Sequence, residues 1–225
     1  MGIVACSAEG AALCYQVICR EALHLVGKND HPRITLDSIA MAQWIPAFDA
    51  GDYQGVASII LDSTQAVAAA GAEFAICPDN SAHLAWDYVQ AETPIPWLHI
   101  AHVVGDEARQ RGYRCVGVLG TRFTMAGRLY RDTLASAGID AMVPERGDFE
   151  IVDRIIFEEL VDGVVTDASR QQYRDVIARL GERGCDAVAL ACTEIPMLVG
   201  PNDSPLPTLD STRLLAEAAL CEAVA

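Results

Sequence analysis

The chain has 225 residues, of which 52% are apolar, and this is enough to bury one large core or two smaller ones. Its formal net charge of −15 argues against nucleic-acid binding, because the chain has no excess of Lys and Arg side chains to replace the counterions of phosphates. No apolar run is long enough to cross a bilayer, and no basic leader precedes the first strand. We therefore expect a cytoplasmic protein that acts on a small molecule rather than on nucleic acid or a membrane.

The first part of the chain alternates short apolar strands with helical patterns. Residues 2–6, 33–38 and 73–77 are predicted to form buried strands. Residues 11–25 and 55–70 have the apolar periodicity of helices. Strands and helices that alternate in this way are typical of a parallel α/β sheet.

The segment between the second strand and the following helix is expected to be a loop. It spans residues 40–50 and contains Trp44 and Phe48, whose side chains we expect to be exposed. A loop of this kind, placed after a strand end, often covers a ligand site.

The alternation resumes after a proline-containing turn at residues 91–96. The predicted strands are residues 97–100, 114–120 and 141–143 and the segment before Cys192, and the predicted helices end near residues 110, 160 and 183. The second part of the chain therefore repeats the organisation of the first.

We predict two flavodoxin-like parallel-sheet half-domains. An extended segment at residues 205–212 is expected to return to the first half, and a C-terminal helix at residues 213–223 completes it. The first half-domain then comprises residues 1–96 with 208–225, and the second comprises residues 97–207.

Two stretches of the sequence align without gaps, so that Gly71 matches Gly184 and Asp79 matches Cys192. Each stretch contains a glycine that ends a helix, a short apolar strand and a polar turn. In parallel α/β sheets such turns lie at the carboxyl ends of the strands, where ligands bind. We therefore predict that Asp79 and Cys192 face one another across a cleft between the half-domains.

The two polar turns resemble the signature motifs of the aspartate/glutamate racemase family. Pro78-Asp-Asn-Ser-Ala-His83 resembles the family's Pro-Cys-Asn-Thr-Ala-His, and Leu190-Ala-Cys-Thr-Glu-Ile-Pro196 resembles its Gly-Cys-Thr-Glu-Leu-Pro. The resemblance covers nearly the whole chain and implies an isomerase whose half-domains are related by a pseudo-twofold axis, with the active site in the cleft. In that family two cysteines act as acid and base on opposite faces of a substrate Cα. This chain keeps Cys192 and has Asp79 in place of the other.

The two candidate catalytic residues differ in their intrinsic chemistry. Cys192 precedes an apparent helix start, which favours a thiolate able to take or return an α-proton. Asp79 is a weaker base, because an unperturbed Asp has a pKa of about 3.9 against about 8.5 for Cys. Asp79 is interpreted as a proton-transfer group, as an orienter of water or as a helix cap, and Cys77 is the alternative source of the missing thiol.

The resemblance also implies residues that bind the substrate carboxylate. Thr121 and Thr124 match the family's Thr-x-x-Thr turn, where hydroxyls and helix-start N–H groups attract an anion. Helix capping is the alternative for this pair, and a simple helix-entry turn is the alternative for Ser7. The full predicted substrate-binding set is Ser7, Asn80, Ser81, Thr121, Thr124, Thr193 and Glu194.

The composition also bears on cofactors. Lys28 is the only lysine and lies at the polar end of the first helix, whereas a pyridoxal phosphate enzyme needs an active-site lysine. No Cys-x-x-Cys pair suggests zinc. We therefore predict chemistry without a cofactor or a metal.

The side chain of the substrate is expected to be neutral. Relatives that act on aspartate hold its distal carboxylate with an Arg in the region of residues 34–54 and with a Lys at the position of Val164. This chain has neither, and an unpaired carboxylate in a closed site is costly. Arg33 and Arg122 remain as alternative anchors.

Three functions are consistent with the sequence. The first is a cofactor-independent racemase or epimerase of amino acids. The second is a one-cysteine lyase or isomerase of small carboxylic acids, similar to arylmalonate decarboxylase or maleate isomerase. The third is a non-catalytic carboxylate-binding homologue that has lost half of its acid–base pair. We also expect a homodimer.

Overall fold

The protein, described by a computed structural model over residues 1–225, divides into two compact units. The first unit comprises Met1–Ile100 with Thr212–Ala225, and the second comprises Ala101–Ser211. Each unit holds a four-stranded parallel sheet with flanking helices. The predicted α/β fold with two parallel-sheet half-domains is therefore confirmed. No helix combines the length and the apolar character needed to span a membrane.

The first unit begins at the amino terminus with an alternation of strands and helices. In chain order its elements are β1 (Gly2–Ala5), α1 (Ala8–Leu25), β2 (Thr35–Ser38), α2 (Met41–Asp49), α3 (Tyr53–Ala69), β3 (Ala75–Ile76), a 3₁₀ turn (Ser81–Ala85), α4 (Trp86–Glu92) and β4 (Trp97–Leu98). The strand order is β2-β1-β3-β4. In α1, buried Cys14, Ile18 and Ala22 recur at four-residue spacing, so one face of this helix packs on the core.

The chain enters the second unit through α5 (Ile100–Gln110). The elements that follow are β5 (Cys115–Gly120), α6 (Arg122–Ala126), α7 (Leu129–Ser136), β6 (Asp140–Met142), α8 (Arg146–Glu158), a 3₁₀ turn (Leu160–Asp162), α9 (Asp167–Glu182), β7 (Ala187–Ala191), α10 (Ile195–Leu198) and β8 (Thr208–Asp210). The strand order β6-β5-β7-β8 repeats that of the first unit. Every residue of β7 is buried, as expected for a central strand of a parallel sheet covered on both faces.

The core of the second unit lies where β5 and β7 meet α8 and α9. Leu119, Ile155, Ile177 and Leu190 are almost completely buried there. Burying each such side chain contributes about 1.5–3 kcal/mol to folding. The sheet edge that carries the candidate site is therefore held by a well-packed layer beneath it.

The last strand belongs to the second unit rather than to the first. β8 pairs in parallel with β7, with Leu190 opposite Asp210, and Ser211 Oγ donates a hydrogen bond of 2.9 Å to the Leu190 carbonyl. The chain therefore returns to the first unit only at Thr212, within α11 (Ser211–Val224), and not at residue 208 as the sequence suggested.

The predicted loop at residues 40–50 is wrong, because this segment forms the helix α2. Trp44 and Phe48 are buried, not exposed, since their spacing of four residues places both on one face of the helix. The Phe48 ring lies edge-to-face against both Trp44 and Tyr53, with centroid distances of 5.7 and 5.8 Å. Trp44 Nε1 donates a hydrogen bond of 3.3 Å to the Cys6 carbonyl. The segment is therefore part of the packed structure around β1.

The two aligned glycines end helices in the predicted way. Gly71 follows α3 with a φ of 95°, and Gly184 follows α9 with a φ of 106°. These left-handed conformations are strained for residues with a Cβ but not for glycine. Each glycine turns the chain into the strand that leads to a candidate catalytic residue.

Candidate active site

In the first unit the candidate residues lie at the carboxyl ends of two neighbouring strands. β1 and β3 pair in parallel, with Ile3 opposite Ile76, so the residues that follow them lie side by side. Cys6 follows β1 and Cys77 follows β3, and their sulfur atoms are 3.8 Å apart. The turn that contains Asp79 therefore starts beside the turn that contains Ser7.

Asp79 caps the turn that follows β3. Its Oδ1 accepts a hydrogen bond of 3.0 Å from the backbone N–H of Ala82, in the first turn of the 3₁₀ segment. Asp79 is half-buried, Asn80 is buried and Ser81 is half-buried. The capping role proposed for Asp79 is thus present, and it leaves the residue partly accessible.

Ser7 occupies the N-cap position of α1 without capping it. The residue is only 8% exposed, and its Oγ has no hydrogen-bond partner within the protein. A buried hydroxyl without a partner typically destabilises a protein by about 1–3 kcal/mol. The helix-entry alternative therefore does not give this hydroxyl a partner.

Cys77 is a poor candidate for the missing catalytic thiol. It is completely buried, and its thiol donates to the Cys6 sulfur. The pKa of Cys77 is raised well above its usual range, first by this hydrogen bond and next by burial. The thiol therefore stays protonated near neutral pH, and Asp79 is the better candidate in this turn.

In the second unit the candidate residues also follow neighbouring strands. Gly120 ends β5 and lies opposite Ala191, which ends β7. A Cβ at position 120 would lie 2.7 Å from the Ala191 carbonyl oxygen, so this close approach requires glycine. Thr121 and Cys192 are the next residues on the two strands, and the close approach places their turns side by side.

Thr121 caps α6. Its Oγ1 accepts a hydrogen bond of 3.4 Å from the Thr124 backbone N–H and lies 3.3 Å from Thr124 Oγ1. Both threonines are buried, and so is Thr193 after the neighbouring strand. Capping of this kind is compatible with carboxylate binding, because each hydroxyl has one donor and two acceptor positions.

Cys192 makes the most informative contact in this unit. Its Sγ lies 2.9 Å from Glu194 Oε2, so the thiol donates to the carboxylate. The residue is 9% exposed, and Glu194 is half-buried. α10, which follows, has only four residues, so its dipole is much weaker than the sequence suggested. The immediate partner of the thiol is thus a proton acceptor and not a helix start.

Tyr173 is a neighbour of Cys192 that the sequence did not indicate. It lies on α9, and its hydroxyl donates a hydrogen bond of 3.1 Å to the Val152 carbonyl. Its pKa is raised well above the usual range by burial and, to a smaller extent, by the charge of Cys192. Tyr173 therefore remains neutral, in the same buried core cluster as Cys192.

The two arginines considered as anchors for a distal carboxylate have other surroundings. The Arg122 backbone N–H and Nη1 bind the Asp153 carboxylate at 2.7 and 3.2 Å. Its guanidinium also lies over the rings of Phe123 and Phe157. Arg33 precedes β2, at the amino ends of the strands and away from the carboxyl ends that carry the candidate residues. Neither arginine is therefore placed as an unpaired cation at a carboxyl-end turn.

The predicted site residues thus form one set in each unit. Ser7, Asp79, Asn80 and Ser81 lie at the carboxyl edge of the first sheet, and Thr121, Thr124, Cys192, Thr193 and Glu194 lie at the carboxyl edge of the second. Each set contains one of the two candidate catalytic residues, and the second set also contains the Glu194 carboxylate.

The fold is that of a known enzyme family. The chain matches the family described as Asp/Glu/Hydantoin racemase over residues 3–219, so it belongs to that family. Racemases are isomerases, and the predicted isomerase class is confirmed by this membership.

Individual relatives cover most or all of the chain. A crystal structure from Yersinia pestis that carries the provisional name Asp/Glu racemase is 32% identical, has a TM-score of 0.92 and covers 100% of both chains. An aspartate racemase homologue from Pyrococcus horikoshii is 27% identical, with a TM-score of 0.88, covering 100% of this chain and 98% of its own. RacX of Bacillus subtilis, a broad specificity amino-acid racemase, is 21% identical over 173 residues, which are 74% of this chain and 71% of RacX.

Proposed function

We propose that this protein is a cofactor-independent amino-acid racemase or epimerase, with Cys192 and Asp79 as the acid–base pair at the substrate Cα. The observation that carries the proposal is the 2.9 Å contact between the Cys192 thiol and the Glu194 carboxylate at the end of β7. A thiol that faces a proton acceptor at a ligand-binding edge is equipped for proton transfer.

Each direction of the reaction moves one proton onto the protein and one proton off it. When Cys192 is the thiolate, it takes the α-proton, and the carboxylic acid of Asp79 gives a proton to the opposite face. In the reverse direction the Asp79 carboxylate takes the α-proton and the Cys192 thiol gives one. Between turnovers, exchange with water resets the two groups, and the Glu194 carboxylate, which accepts from the thiol at 2.9 Å, can take its proton.

The hydroxyl and amide groups of the two sets are proposed to hold the substrate carboxylate. Removing an α-proton places negative charge on that carboxylate, and hydrogen-bond donors aimed at it stabilise the transition state. Ser7 is the strongest member of the set, because its buried Oγ has no protein partner and would gain one. Thr121, Thr124 and Thr193 supply further hydroxyls.

The substrate is proposed to have a neutral side chain. Arg122 is engaged by Asp153 and by two aromatic rings, and position 164 is an exposed valine. A substrate with a charged distal carboxylate would therefore lack a cation at these positions. The name of RacX, a broad specificity amino-acid racemase, agrees with a substrate range beyond aspartate and glutamate.

The remaining proposals are that the protein works without pyridoxal phosphate, is located in the cytoplasm and forms a homodimer. Lys28 is exposed in the turn after α1, which does not suit a pyridoxal phosphate aldehyde that must be held in a closed site. Eight free cysteines suit the reducing cytoplasm. A homodimer is proposed by resemblance to the family.

The decisive experiment follows each enantiomer of a neutral amino acid separately in heavy water. Loss of the α-proton is measured by NMR, and inversion by circular dichroism. We expect both signals, with faster exchange for the enantiomer whose Cα–H points at Cys192, because a thiolate is intrinsically the stronger base. Release of carbon dioxide from a malonate panel without exchange would instead identify a decarboxylase. Binding without exchange or turnover would identify a carboxylate-binding protein.

A further inference from the structure

His83 ends the first motif, and the mechanism above gives it no role. It is 3% exposed, although a histidine at the end of a polar turn could lie in solvent. It belongs to the 3₁₀ turn Ser81–Ala85, one turn beyond Asp79. Its two ring nitrogens make different contacts.

These contacts fix the chemical form of the ring. Nδ1 lies 2.8 Å from the backbone carbonyl of Asp79, and Nε2 accepts a hydrogen bond of 3.4 Å from the backbone N–H of Ile100. A carbonyl only accepts and a backbone N–H only donates, so Nδ1 carries the proton and Nε2 does not. His83 is therefore a neutral imidazole that bridges Asp79 and Ile100.

Aromatic side chains hold the ring in this orientation. His99 lies edge-to-face at a centroid distance of 4.6 Å, Trp97 lies edge-to-face at 6.2 Å, and Trp86 is stacked at 6.3 Å. Trp97 belongs to β4, which pairs with β3, so the ring rests on the same sheet that carries the Asp79 turn. A 180° flip of the ring would place carbon atoms at the positions of both nitrogens and break both hydrogen bonds.

Asp79 is thus fixed through two different groups. Its carboxylate is held from within the turn by the Ala82 N–H, and its backbone carbonyl is held by His83. The hydrogen bond to Ala82 orients the carboxylate relative to the turn. The bridge through His83 ties the turn itself to Ile100, where α5 begins.

We propose that His83 is a positioning residue that sets the direction of the Asp79 carboxyl by bridging the turn to the start of α5. This inference rests on the proposed function, since Asp79 matters for catalysis only if it exchanges a proton with substrate. A small displacement of a catalytic group suffices for a large effect, with about 1 Å costing about 100-fold in rate.

Three variants separate positioning from packing. His83→Phe keeps the ring volume and removes both hydrogen bonds. His83→Asn keeps an N–H donor near the position of Nδ1. Trp97→Phe is the matched control, because it perturbs the same cluster by shrinking an aromatic ring and removes a buried N–H that has no protein acceptor.

We expect His83→Phe to slow α-proton exchange on the Asp79 face about 100-fold, with kcat reduced and KM nearly unchanged. Exchange on the Cys192 face should stay within about twofold of the wild type. On the Asp79 face, His83→Asn should exchange the α-proton about tenfold faster than His83→Phe. Trp97→Phe should leave the ratio of the two face-specific rates unchanged. If His83→Phe does not fold, His83→Gln replaces it, because it keeps the acceptor for Ile100 and loses the donor to Asp79.

Equal slowing of both faces, or an unchanged ratio in folded His83→Phe, would overturn the inference. Amide hydrogen exchange of the free protein tests it independently of catalysis. His83→Phe should accelerate exchange of the Ala82 and Ile100 amides and leave those of β7 unchanged. If the wild type exchanges no α-protons at all, the proposed function fails, and the amide measurement alone decides whether His83 holds the turn.

Discussion

The two polar turns that follow β3 and β7 both start at the carboxyl end of a parallel strand. Their hydrogen bonds favour opposite protonation states of the two candidate acid–base groups. Asp79 accepts a hydrogen bond from the Ala82 N–H, which favours the charged carboxylate. Cys192 donates to the Glu194 carboxylate, which favours the neutral thiol. In the free protein the first candidate group therefore accepts a hydrogen bond, whereas the second donates one.

This difference shows that the repeated strand order does not make the two halves chemically equivalent. Counted along the chain, the second strand of each unit lies at one edge of its sheet and the fourth strand lies at the other edge. In each unit the candidate catalytic residue follows the third strand, which is β3 before Asp79 and β7 before Cys192. The hydrogen-bond partners nevertheless come from side chains and turns that the repeat does not share. A repeated fold can thus give the two proposed acid–base groups different hydrogen bonds, and substitutions can test each side separately.

The largest effect is expected from Cys192→Ala. Removing the thiol should lower racemisation about 1,000-fold or more, because the positioned proton-transfer group is lost. The alanine fills most of the same buried space, so the melting temperature should change little. Inversion and α-proton exchange are measured on the same sample. Cys221→Ala, at an exposed thiol in α11, is the control and should retain full activity. Full activity of Cys192→Ala would refute the assigned role.

Asp79→Asn is expected to have the next largest effect and separates proton transfer from capping. The Asn side-chain oxygen can still accept from the Ala82 N–H, but the residue cannot exchange the α-proton. Inversion should fall about 100-fold while exchange on the Cys192 face remains. Asp79→Ala should show the same exchange pattern and also lose about 1 kcal/mol of stability with the cap. Asp79→Cys should make the two face-specific rates more alike.

Normal inversion by Asp79→Asn would show that Asp79 acts only as a cap. Equal exchange rates in the wild type that no substitution at position 79 changes would lead to the same conclusion. The thermal stability of the Asn and Ala variants, measured in parallel, reports on the cap independently of turnover.

Glu194→Gln tests why the second turn differs from the first. Glutamine keeps an oxygen that accepts from the thiol but removes the group that can take its proton. We expect kcat to fall about tenfold, with KM nearly unchanged and the larger loss on the Cys192 face. An unchanged kcat, or an equal loss on both faces, would show that Glu194 only supports the structure of the turn.

The sequence predicted the alternation of elements because strand and helix periodicities are local. It also predicted the helix ends at Gly71 and Gly184, since a left-handed residue after a helix favours glycine. The helix at residues 41–49 was missed because Pro46, which usually breaks a helix, lies inside it. The spacing of Trp44 and Phe48 was the signal that favoured a helix.

Contacts between residues that are distant in sequence were the part of the site that local sequence patterns could not predict. The motifs indicated Asp79 and Cys192, but nothing in the local pattern shows that His83 accepts from Ile100, seventeen residues later. The pairing of β8 with β7 is similarly non-local and moved residues 208–211 into the second unit. The close pairing of Cys192 with Glu194 depends on a turn conformation that residue types alone do not fix.

The preference between substrates is expected to be a smaller effect than the rate losses predicted for the catalytic variants. In competition between aspartate and neutral amino acids of similar size, the neutral substrates should have a higher kcat/KM by about tenfold, because an unpaired carboxylate is costly in a closed site. Val164→Lys should reduce that difference by supplying a cation, and Val165→Lys next to it is the positional control. A clear preference of the wild type for aspartate would show that a cation reaches the site from elsewhere.

The smallest effect is expected from Ser7→Ala. Removing a buried hydroxyl that has no protein partner should leave the free protein equally stable or more stable by about 1 kcal/mol. KM should rise a few-fold if the hydroxyl binds the substrate carboxylate. Thermal unfolding and steady-state kinetics measure the two changes. Loss of stability together with an unchanged KM would mean that Ser7 supports the fold alone.

The cap formed by Asp79 also bears on how such a site can change during evolution. No single nucleotide change converts an aspartate codon into a cysteine codon, and the shortest routes pass through glycine or tyrosine. Neither intermediate can offer the Ala82 N–H the carboxylate that it has now. A gene that encodes Asp79 would therefore have to pass through a variant whose turn lacks the carboxylate cap before it could recover a thiol there. The difference between the residues at positions 79 and 192 is thus preserved by the two-step codon path as well as by the hydrogen bond from Ala82 to Asp79.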